Sequence, residues 1–275
     1  MTGQMETFCA GLDLFSLIWL LLLAGFAGFV DAVVGGGGLI QVPALFTSFP
    51  GMAPATLFGT NKLASICGTA LAALRYARRV RFPWRMLVCA FVSTLVFAYL
   101  GAKAVSLLPK ELVRPIVLAL LVLVTISTLV RKDFGHHHAP LHHGKKEVAL
   151  GVLVGAVLGF YDGFFGPGMG AFLIFCFVRF FGYDFLRASA VSKVLNLSSN
   201  LAALSYFIPA GHVLWGVGAL MAAANIAGAW VGSHMAIRRG AGFVRSLFLC
   251  VLVGLIAKLG VGHLPGLALM FHVKH

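Results

Sequence analysis

Four ionisable residues lie inside stretches of sequence that are otherwise apolar: Asp31, Lys62, Asp162 and Lys193. If these stretches cross a membrane, each charge costs at least ~2.5–3.5 kcal/mol on insertion scales, so such residues face the interior of a helix bundle and mark substrate or ion pathways. A lysine in that setting can bind an anion. An aspartate can pair with the lysine or carry a proton.

Polar residues and glycines surround these charges. Thr60 and Asn61 precede Lys62, and Ser192 and Asn196 flank Lys193. A glycine-rich segment follows each aspartate, and its candidate ligands are Gly35, Gly36, Gly37, Gly166 and Gly168. A helix that starts after such a break offers free N–H groups and the positive end of its dipole to an anion. The pattern therefore predicts an anion site built from lysines, polar side chains and backbone N–H groups.

Two interpretations of the buried charges stay open. The salt bridges Asp31–Lys62 and Asp162–Lys193 could simply brace each half of the chain. Alternatively, at least one lysine meets an anionic substrate, while Asp31 and Asp162 titrate, gate the lysines or cap freed backbone groups. The polar neighbours and the glycine segments favour the second interpretation.

Other kinds of chemistry find little support. The GGGG run at 35–38 lacks the lysine and Ser/Thr of a P-loop and follows no strand, so we expect no nucleotide and no cofactor. Nucleophile-elbow and zinc-protease motifs are absent, which predicts that the chain is not an enzyme. Five histidines, at 136–138 and 142–143, could bind a metal. Their spacing resembles no defined site, however, so we expect a solvated loop and no metal.

The composition is that of a membrane protein. Of the 275 residues 60% are hydrophobic and 11% are charged, with a mean hydropathy of +0.97. Apolar runs long enough to span a bilayer occur at Leu14–Val34, Met86–Leu108, Leu112–Val130, Val148–Phe165, Val213–Met235 and Phe243–Leu259. Ala53–Leu74 and Ala188–Ile208 are further candidates with one lysine each. The runs do not alternate as barrel strands would, so we predict helices. The net charge of +13 resides mostly in short connections and indicates topology rather than a nucleic-acid partner.

The chain repeats itself at an offset of 131 residues. Asp31 falls on Asp162 and Lys62 on Lys193, and Trp84 falls on Trp215. We therefore predict a first membrane repeat at 12–131, a polar histidine-rich linker at 132–145, a second repeat at 146–260 and a C-terminal tail at 261–275. Each repeat reads as a long helix, a glycine break, a short apolar piece (Leu39–Phe49 or Ala171–Phe181), a lysine-bearing helix and two plain spans.

The distribution of basic residues predicts that the two repeats are inverted. If the long helix and the short piece form a hairpin, each repeat adds three crossings. An outside N-terminus then leaves 14 Lys and Arg residues on the cytoplasmic side and 4 outside. Parallel repeats would place 9 on each side. We thus expect an all-α polytopic protein with two inverted-topology repeats, each a broken helix hairpin plus three spans. Paired breaks of this kind point to a transporter's binding site.

At these motifs the chain resembles the TauE/SafE sulfite exporter family, in particular its YfcA-like branch. The resemblance rests on GFAGFVDAVVGGGGLIQVPAL followed by GTNK, and on GFYDGFFGPGMGAFL followed by VSKVLN. It implies a multi-pass permease of the bacterial inner membrane for anions such as sulfite, sulfoacetate or related organosulfur compounds. Coupling to protons and a homo-oligomer are further expectations. A membrane scaffold whose buried charges are structural is the alternative. Pro167 and Met169 replace glycines of the first repeat, so the two half-sites are chemically unequal.

Overall fold

The computed structural model describes residues 11–107, 141 and 144–271, and all regular structure in this part of the chain is α-helical. The helices are α1 (Leu14–Val34), α2 (Gly38–Ser48), α3 (Pro54–Ala77), α4 (Trp84–Ser106), α5 (Lys145–Phe164), α6 (Met169–Phe181), α7 (Phe185–Phe207) and α8 (Trp215–Phe271). Helix α8 is interrupted at Gly240, which has a φ of 71°. The predicted span Leu112–Val130 and most of the linker lie outside the described residues.

Five of the described helices are long and apolar enough to cross a membrane. They are α1, α3, α4, α5 and the segment Trp215–Leu247 of α8. The short helices α2 and α6 are apolar but have only 11 and 13 residues. The predicted all-helical, multi-pass membrane architecture is confirmed.

Helix α7 has 23 residues but is not among these five spans. Serines, asparagines and Lys193 make it too polar, yet most of them are buried. The helix packs against α3, α4 and α6. Its polar groups therefore face protein, where they can find partners that lipid does not offer.

Both aspartate-bearing helices end in a glycine break, as predicted. Helix α1 stops at Gly35, whose φ of 76° lets its N–H bond to the carbonyl of Asp31. In the second break Gly166 and Gly168 have φ values of 95° and 85°. The breaks are shorter than the sequence predicts, because Gly38 opens α2 and Gly170 lies in the first turn of α6. Neither of those glycines has a positive φ, so nothing in their backbone stops the helix.

The two breaks pack directly on each other. A Cβ atom added to Gly35 would lie 2.3 Å from the carbonyl carbon of Gly170, and one added to Gly38 would lie 3.1 Å from the Cα of Pro167. Only glycine permits such a close approach of two backbones. The N-termini of α2 and α6 consequently meet at one place.

Contacts between the halves obey the same 131-residue offset as the sequence. Helix α1 packs on α8 and helix α5 on α4. A Cβ at Gly28 would lie 2.2 Å from the Asn225 oxygen, and one at Gly159 would lie 2.8 Å from the Thr94 oxygen. Gly28 and Gly159 are repeat mates, as are Thr94 and Asn225. The same interface therefore occurs twice with the halves exchanged.

Hydrogen bonds fix the relative direction of the central helices. Early in α3, the Thr60 hydroxyl accepts from the Leu214 N–H, which lies just before α8, and late in α3 Arg75 bonds to His234. Helices α3 and α8 thus run in the same direction.

Helix α7 runs opposite to α3. Tyr76, late in α3, and Ser189, early in α7, donate to the adjacent carbonyls of Ala32 and Val33 at 2.9 and 2.7 Å. Gly59, early in α3, lies against Phe207, the last residue of α7. The two lysine-bearing helices, which are repeat mates, are therefore antiparallel.

Candidate functional site

The four buried charges form two ion pairs, and each pair joins the two halves. Lys62 Nζ lies 2.5 Å from Asp162 Oδ2, and Lys193 Nζ lies 2.9 Å from Asp31 Oδ2. The sequence-based pairing of each lysine with the aspartate of its own half is wrong. Because α1 packs on the second half and α5 on the first, each aspartate is carried to the lysine of the other repeat.

Both pairs are withdrawn from solvent. The lysine side chains are 4% and 0% exposed, and Asp162 and Asp31 are 3% and 13% exposed. Thr69 also donates to Asp31 Oδ2, at 3.4 Å. Removing one partner from such a pair leaves an uncompensated buried charge, at a cost of about 3–5 kcal/mol. Each charge thus depends on a residue in the opposite half.

A small cavity lies between the ion pairs and the glycine breaks. The space open to the centre of a water molecule is about 20 Å³, enough for about one water. Its walls are Asp31, Gly35, Gly38, Asn61, Lys62, Ser65, Asp162, Gly166, Gly168, Gly170, Asn196 and Asn200. Both halves contribute to the walls, so the cavity exists only where the repeats meet.

Eight of the predicted site residues line this cavity. They are Asp31, Gly35, Asn61, Lys62, Asp162, Gly166, Gly168 and Asn196. Both aspartates, both breaks and one lysine are therefore brought together around one cavity.

The other predicted residues lie beside the cavity or face elsewhere. Lys193 is fully buried against Asp31. The Thr60 hydroxyl donates to the Thr56 carbonyl, and the Ser192 hydroxyl donates to the Ala188 carbonyl of its own helix. Gly37 packs against α1, and the Gly36 carbonyl accepts from Leu39 in α2. These residues shape the helices around the cavity and do not line it.

Four residues that the sequence does not predict as site residues also line the cavity: Gly38, Ser65, Gly170 and Asn200. The helical spacing in the sequence could have identified two of them. Ser65 is three residues after Lys62 and Asn200 is four after Asn196, spacings that place side chains on the same face of a helix. Ser65 and Asn196 are also repeat mates.

Three buried amide atoms near the cavity have no hydrogen-bond partner. They are Asn61 Oδ1, Asn200 Nδ2 and Gln41 Nε2, and the Ser65 hydroxyl links Gln41 to the cavity wall at 3.2 Å. Buried polar atoms are nearly always paired, so an orphan in a cavity indicates a ligand or water that completes it. Two of the three atoms are N–H donors, which suit an oxyanion.

Two half-helices direct their N-termini at the same place. Gly38 and Gly170, in the first turns of α2 and α6, both line the cavity. No side chain caps either N-terminus. Two positive dipole ends and Lys62 therefore lie at the same cavity as the carboxylates of Asp31 and Asp162.

A tyrosine holds the second break in place. The Tyr161 hydroxyl donates to the Pro167 carbonyl at 2.6 Å. Its ring packs edge-on against Phe165 and Phe172. The backbone of the break is thereby fixed relative to α5, which carries Asp162.

In the part of the chain that the structure describes, no three His, Cys, Asp or Glu side chains come together as they would around a metal ion. The histidines at 136–138 and 142–143 lie outside the described residues. The described walls of the cavity carry one lysine, two carboxylates, a serine, asparagine amides and glycine backbone.

Comparison with known proteins agrees with a transport role. The model of the family "Sulfite exporter TauE/SafE" matches residues 20–259. A probable membrane transporter, ORF9 of a Sinorhizobium species, is 34% identical over 89% of this chain and 93% of its own. The probable membrane transporter YfcA of Escherichia coli K12 is 33% identical over 87% of this chain and 88% of its own.

A probable membrane transporter of Haemophilus influenzae is also 33% identical, over 90% of this chain and 95% of its own. No solved structure gives a significant match. Since the family and these relatives are transporters, the chain is a multi-pass membrane permease for a small molecule and not an enzyme. It belongs to the TauE/SafE sulfite exporter family.

Proposed function

We propose that the chain is a secondary transporter for a small anion, namely sulfite, sulfoacetate or a related organosulfur anion. We propose also that the cavity between the breaks is its substrate site. One observation carries this proposal: two ion pairs exchanged between the halves adjoin the N-termini of two half-helices and a set of unpartnered buried amides. The name of the family gives the substrate class.

Binding draws on three kinds of donor. A lysine supplies a charge-assisted hydrogen bond, about twice as strong as a neutral one. Asn200 Nδ2 and the backbone N–H groups of Gly38 and Gly170, at the starts of α2 and α6, supply neutral donors. Lys62 lines the cavity, whereas Lys193 does not and is held behind the wall by Asp31, which itself lines the cavity. We therefore assign substrate contact to Lys62 and a bracing role to the Lys193–Asp31 pair.

Substrate competes with Asp162 for Lys62. A proton that arrives on Asp162 removes the charge that holds Lys62 and leaves the lysine free for an anion. Proton and anion then bind together, which is a simple route to proton-coupled transport. The cavity has room for about one water and must widen to admit the anion.

The widening is a motion of one inverted repeat against the other. The antiparallel course of α3 and α7 and the twofold exchange of contacts support inverted repeats. Rocking of such repeats about a fixed site gives alternating access. We place the protein in the bacterial cytoplasmic membrane, in keeping with the organisms of its relatives.

Counterflow in proteoliposomes tests the substrate class. Vesicles that hold the purified protein and unlabelled sulfite, sulfoacetate or a simple carboxylate are diluted into labelled anion. We expect sulfite or sulfoacetate to accelerate uptake of its own label, with the carboxylate clearly weaker. If none of the sulfur anions accelerates uptake of its own label, the proposed substrate class is refuted.

Paired substitutions test the site. Lys62→Met with Asp162→Asn removes both charges of the cavity pair at similar volume, and Lys193→Met with Asp31→Asn is the matched control. We expect the first variant to fold and to lose affinity for the anion about tenfold or more, since a hydrogen bond to a charged group contributes about 1.5–3 kcal/mol. The second variant should retain more transport.

The alternative is a membrane scaffold whose ion pairs only hold the halves together. The pairs do join the halves, which is what a brace requires. Under this alternative both double variants would leave any transport unchanged. If both double variants show normal counterflow, the substrate site therefore lies elsewhere in the protein.

A further inference from the structure

A second, wider pocket lies far along α3 from the ion pairs. It has a volume of about 790 Å³ between the end of α3, the start of α7 and α8. Its walls are Leu71, Arg75, Arg78, Arg79, Leu186, Trp230, His234, Ile237 and Arg238. The distribution of basic residues predicts that this face is cytoplasmic.

The pocket is strongly cationic. Four arginines line it and no carboxylate does. Arg78, Arg79 and Arg238 form no ion pair with any residue that the structure describes. Three guanidinium groups around one pocket are therefore available to an anion from outside the chain.

A stacked cluster fixes the fourth arginine. The Arg75 guanidinium lies 5.1 Å from the centre of the Trp230 ring, and its Nη2 donates to His234 Nδ1 at 3.0 Å. The Trp230 and His234 rings stack at 5.7 Å with 7° between their planes. Because arginine can only donate, His234 must accept at Nδ1 and carry its proton on Nε2.

Apolar surface adjoins these charges. Leu71, Leu186 and Ile237 line the same pocket, and Trp230 is 54% exposed although it lies in a spanning segment of α8. A free inorganic anion needs no apolar wall. An exposed tryptophan beside arginines is typical of the level where lipid head groups meet acyl chains.

We propose that this pocket binds the head group of an anionic phospholipid. Arg78, Arg79 and Arg238 contact the phosphate, and the first carbons of the acyl chains lie on Trp230 and Ile237. Basic pockets between helices on the cytoplasmic side bind anionic lipids in this way. The site is separate from the anion cavity, with which it shares no lining residue.

Fluorescence of Trp230 tests the proposal. The chain has four tryptophans, so Trp19→Phe, Trp84→Phe and Trp215→Phe leave Trp230 as the single reporter. The purified full chain in detergent is titrated with phosphatidylglycerol whose acyl chains carry bromine, a quencher. We expect saturable quenching, and much weaker quenching by brominated phosphatidylcholine. Equal quenching by the two lipids would overturn the proposal.

Two matched charge deletions separate a built site from general attraction. Arg78→Gln with Arg238→Gln removes two pocket charges, and Arg81→Gln with Arg85→Gln removes two exposed charges from the same face outside the pocket. We expect half-saturation to rise about tenfold or more in the first variant and about twofold or less in the second. Equal rises in both variants would mean only surface attraction and would refute the site.

Two further arms complete the test. Arg78→Lys with Arg238→Lys keeps the charge but loses the planar fork of the guanidinium group. Its affinity for phosphatidylglycerol should lie between those of the parent and the glutamine variant, and binding by this variant also controls for misfolding.

In the second arm, inorganic phosphate and sulfite are added at millimolar concentration in place of lipid. If either one stabilises the parent against heat through Arg78 and Arg238 and phosphatidylglycerol does not, the pocket takes free anions and the proposal fails.

Discussion

At the scale of single residues, the exchange of ion-pair partners decides how the charges depend on each other. Lys62 pairs with Asp162 and Lys193 with Asp31, so the partner of each lysine lies about 100 or more residues away. A variant that removes one charge from each pair leaves two orphans, whereas removal of a true pair leaves none.

Thermal stability should reveal which residues are partners. We expect Lys62→Met with Asp162→Asn to unfold close to the parent temperature in detergent. Lys62→Met with Asp31→Asn should unfold well below it, because Asp162 and Lys193 are then both buried without partners, at about 3–5 kcal/mol each. Equal melting temperatures for the two combinations would contradict the exchanged pairing.

The sequence could identify these charges but not their partners. An offset of 131 matches Asp31 with Asp162 and Lys62 with Lys193, yet it is equally compatible with pairs inside a half and pairs between halves. The choice depends on α1 packing against α8, a contact set by Gly28 and Asn225 about 200 residues apart. The polarity of Thr60 predicts a site residue, but it lies two residues from Lys62, a spacing that puts the two side chains on different sides of a helix.

At the scale of helices, two short helices and the breaks before them form the floor of the site. The sequence predicts their bounds to within two residues. The predicted pieces are Leu39–Phe49 and Ala171–Phe181, and the observed helices are Gly38–Ser48 and Met169–Phe181. Positive φ at Gly35, Gly166 and Gly168 explains where each long helix ends. The paired breaks also predict that the two segments approach each other, but the atomic contact of Gly35 with Gly170 depends on how the halves meet.

The contact between the breaks predicts a severe effect of one methyl group. In Gly170→Ala the new Cβ would lie 2.4 Å from the Gly35 Cα, a distance that backbone atoms cannot accept. We expect the variant to melt at a lower temperature and to lose most transport, because the N-termini of α2 and α6 are forced apart.

Gly242→Ala is the matched control for that substitution. Gly242 is also helical, and an added Cβ meets nothing within 4 Å. Alanine there should be neutral or stabilising by up to about 0.5–1 kcal/mol. Similar behaviour of the two variants would show that the breaks do not depend on close contact.

The tyrosine that fixes the second break predicts a smaller effect. Tyr161→Phe removes the donor to the Pro167 carbonyl but keeps the ring. We expect a loss of about 1 kcal/mol in stability and a reduced transport rate, measured by melting and counterflow. Tyr206→Phe is the control, because the Tyr206 hydroxyl makes no hydrogen bond with a described residue; this variant should melt and transport like the parent. If Tyr161→Phe also behaves like the parent, the hydrogen bond to Pro167 does not stabilise the break.

Helix α7 shows why apolar runs alone describe only part of the fold. The sequence marks Ala188–Ile208 as a span despite Lys193, and the helix is there at Phe185–Phe207. It is too polar to be taken as a span by composition. Its serines and asparagines are tolerated because α3, α4 and α6 surround it, which only the tertiary arrangement reveals.

At the scale of the whole molecule, the proposed inverted repeats predict which loops face which side of the membrane. Arg81 lies in the turn after α3 and Ala210 in the corresponding turn after α7, and both are exposed. In a chain without its five cysteines, Arg81→Cys should react with a membrane-impermeant maleimide only from the cytoplasmic side.

Ala210→Cys should react only from the opposite side of the membrane. Labelling is measured on intact cells and on inside-out vesicles, and each variant serves as the other's control. Reaction of both cysteines from the same side would refute inverted repeats and support parallel ones.

The exchanged ion pairs also bear on how a duplicated chain of this kind changes over generations. After a duplication, the two copies of a segment are ordinarily free to drift apart. Here a substitution of Asp162 leaves Lys62 in the other copy without its ion-pair partner, and a substitution of Asp31 does the same to Lys193. A substitution that compensates for such a loss must therefore arise in the opposite copy. The two copies must consequently change together, although each has its own set of helices.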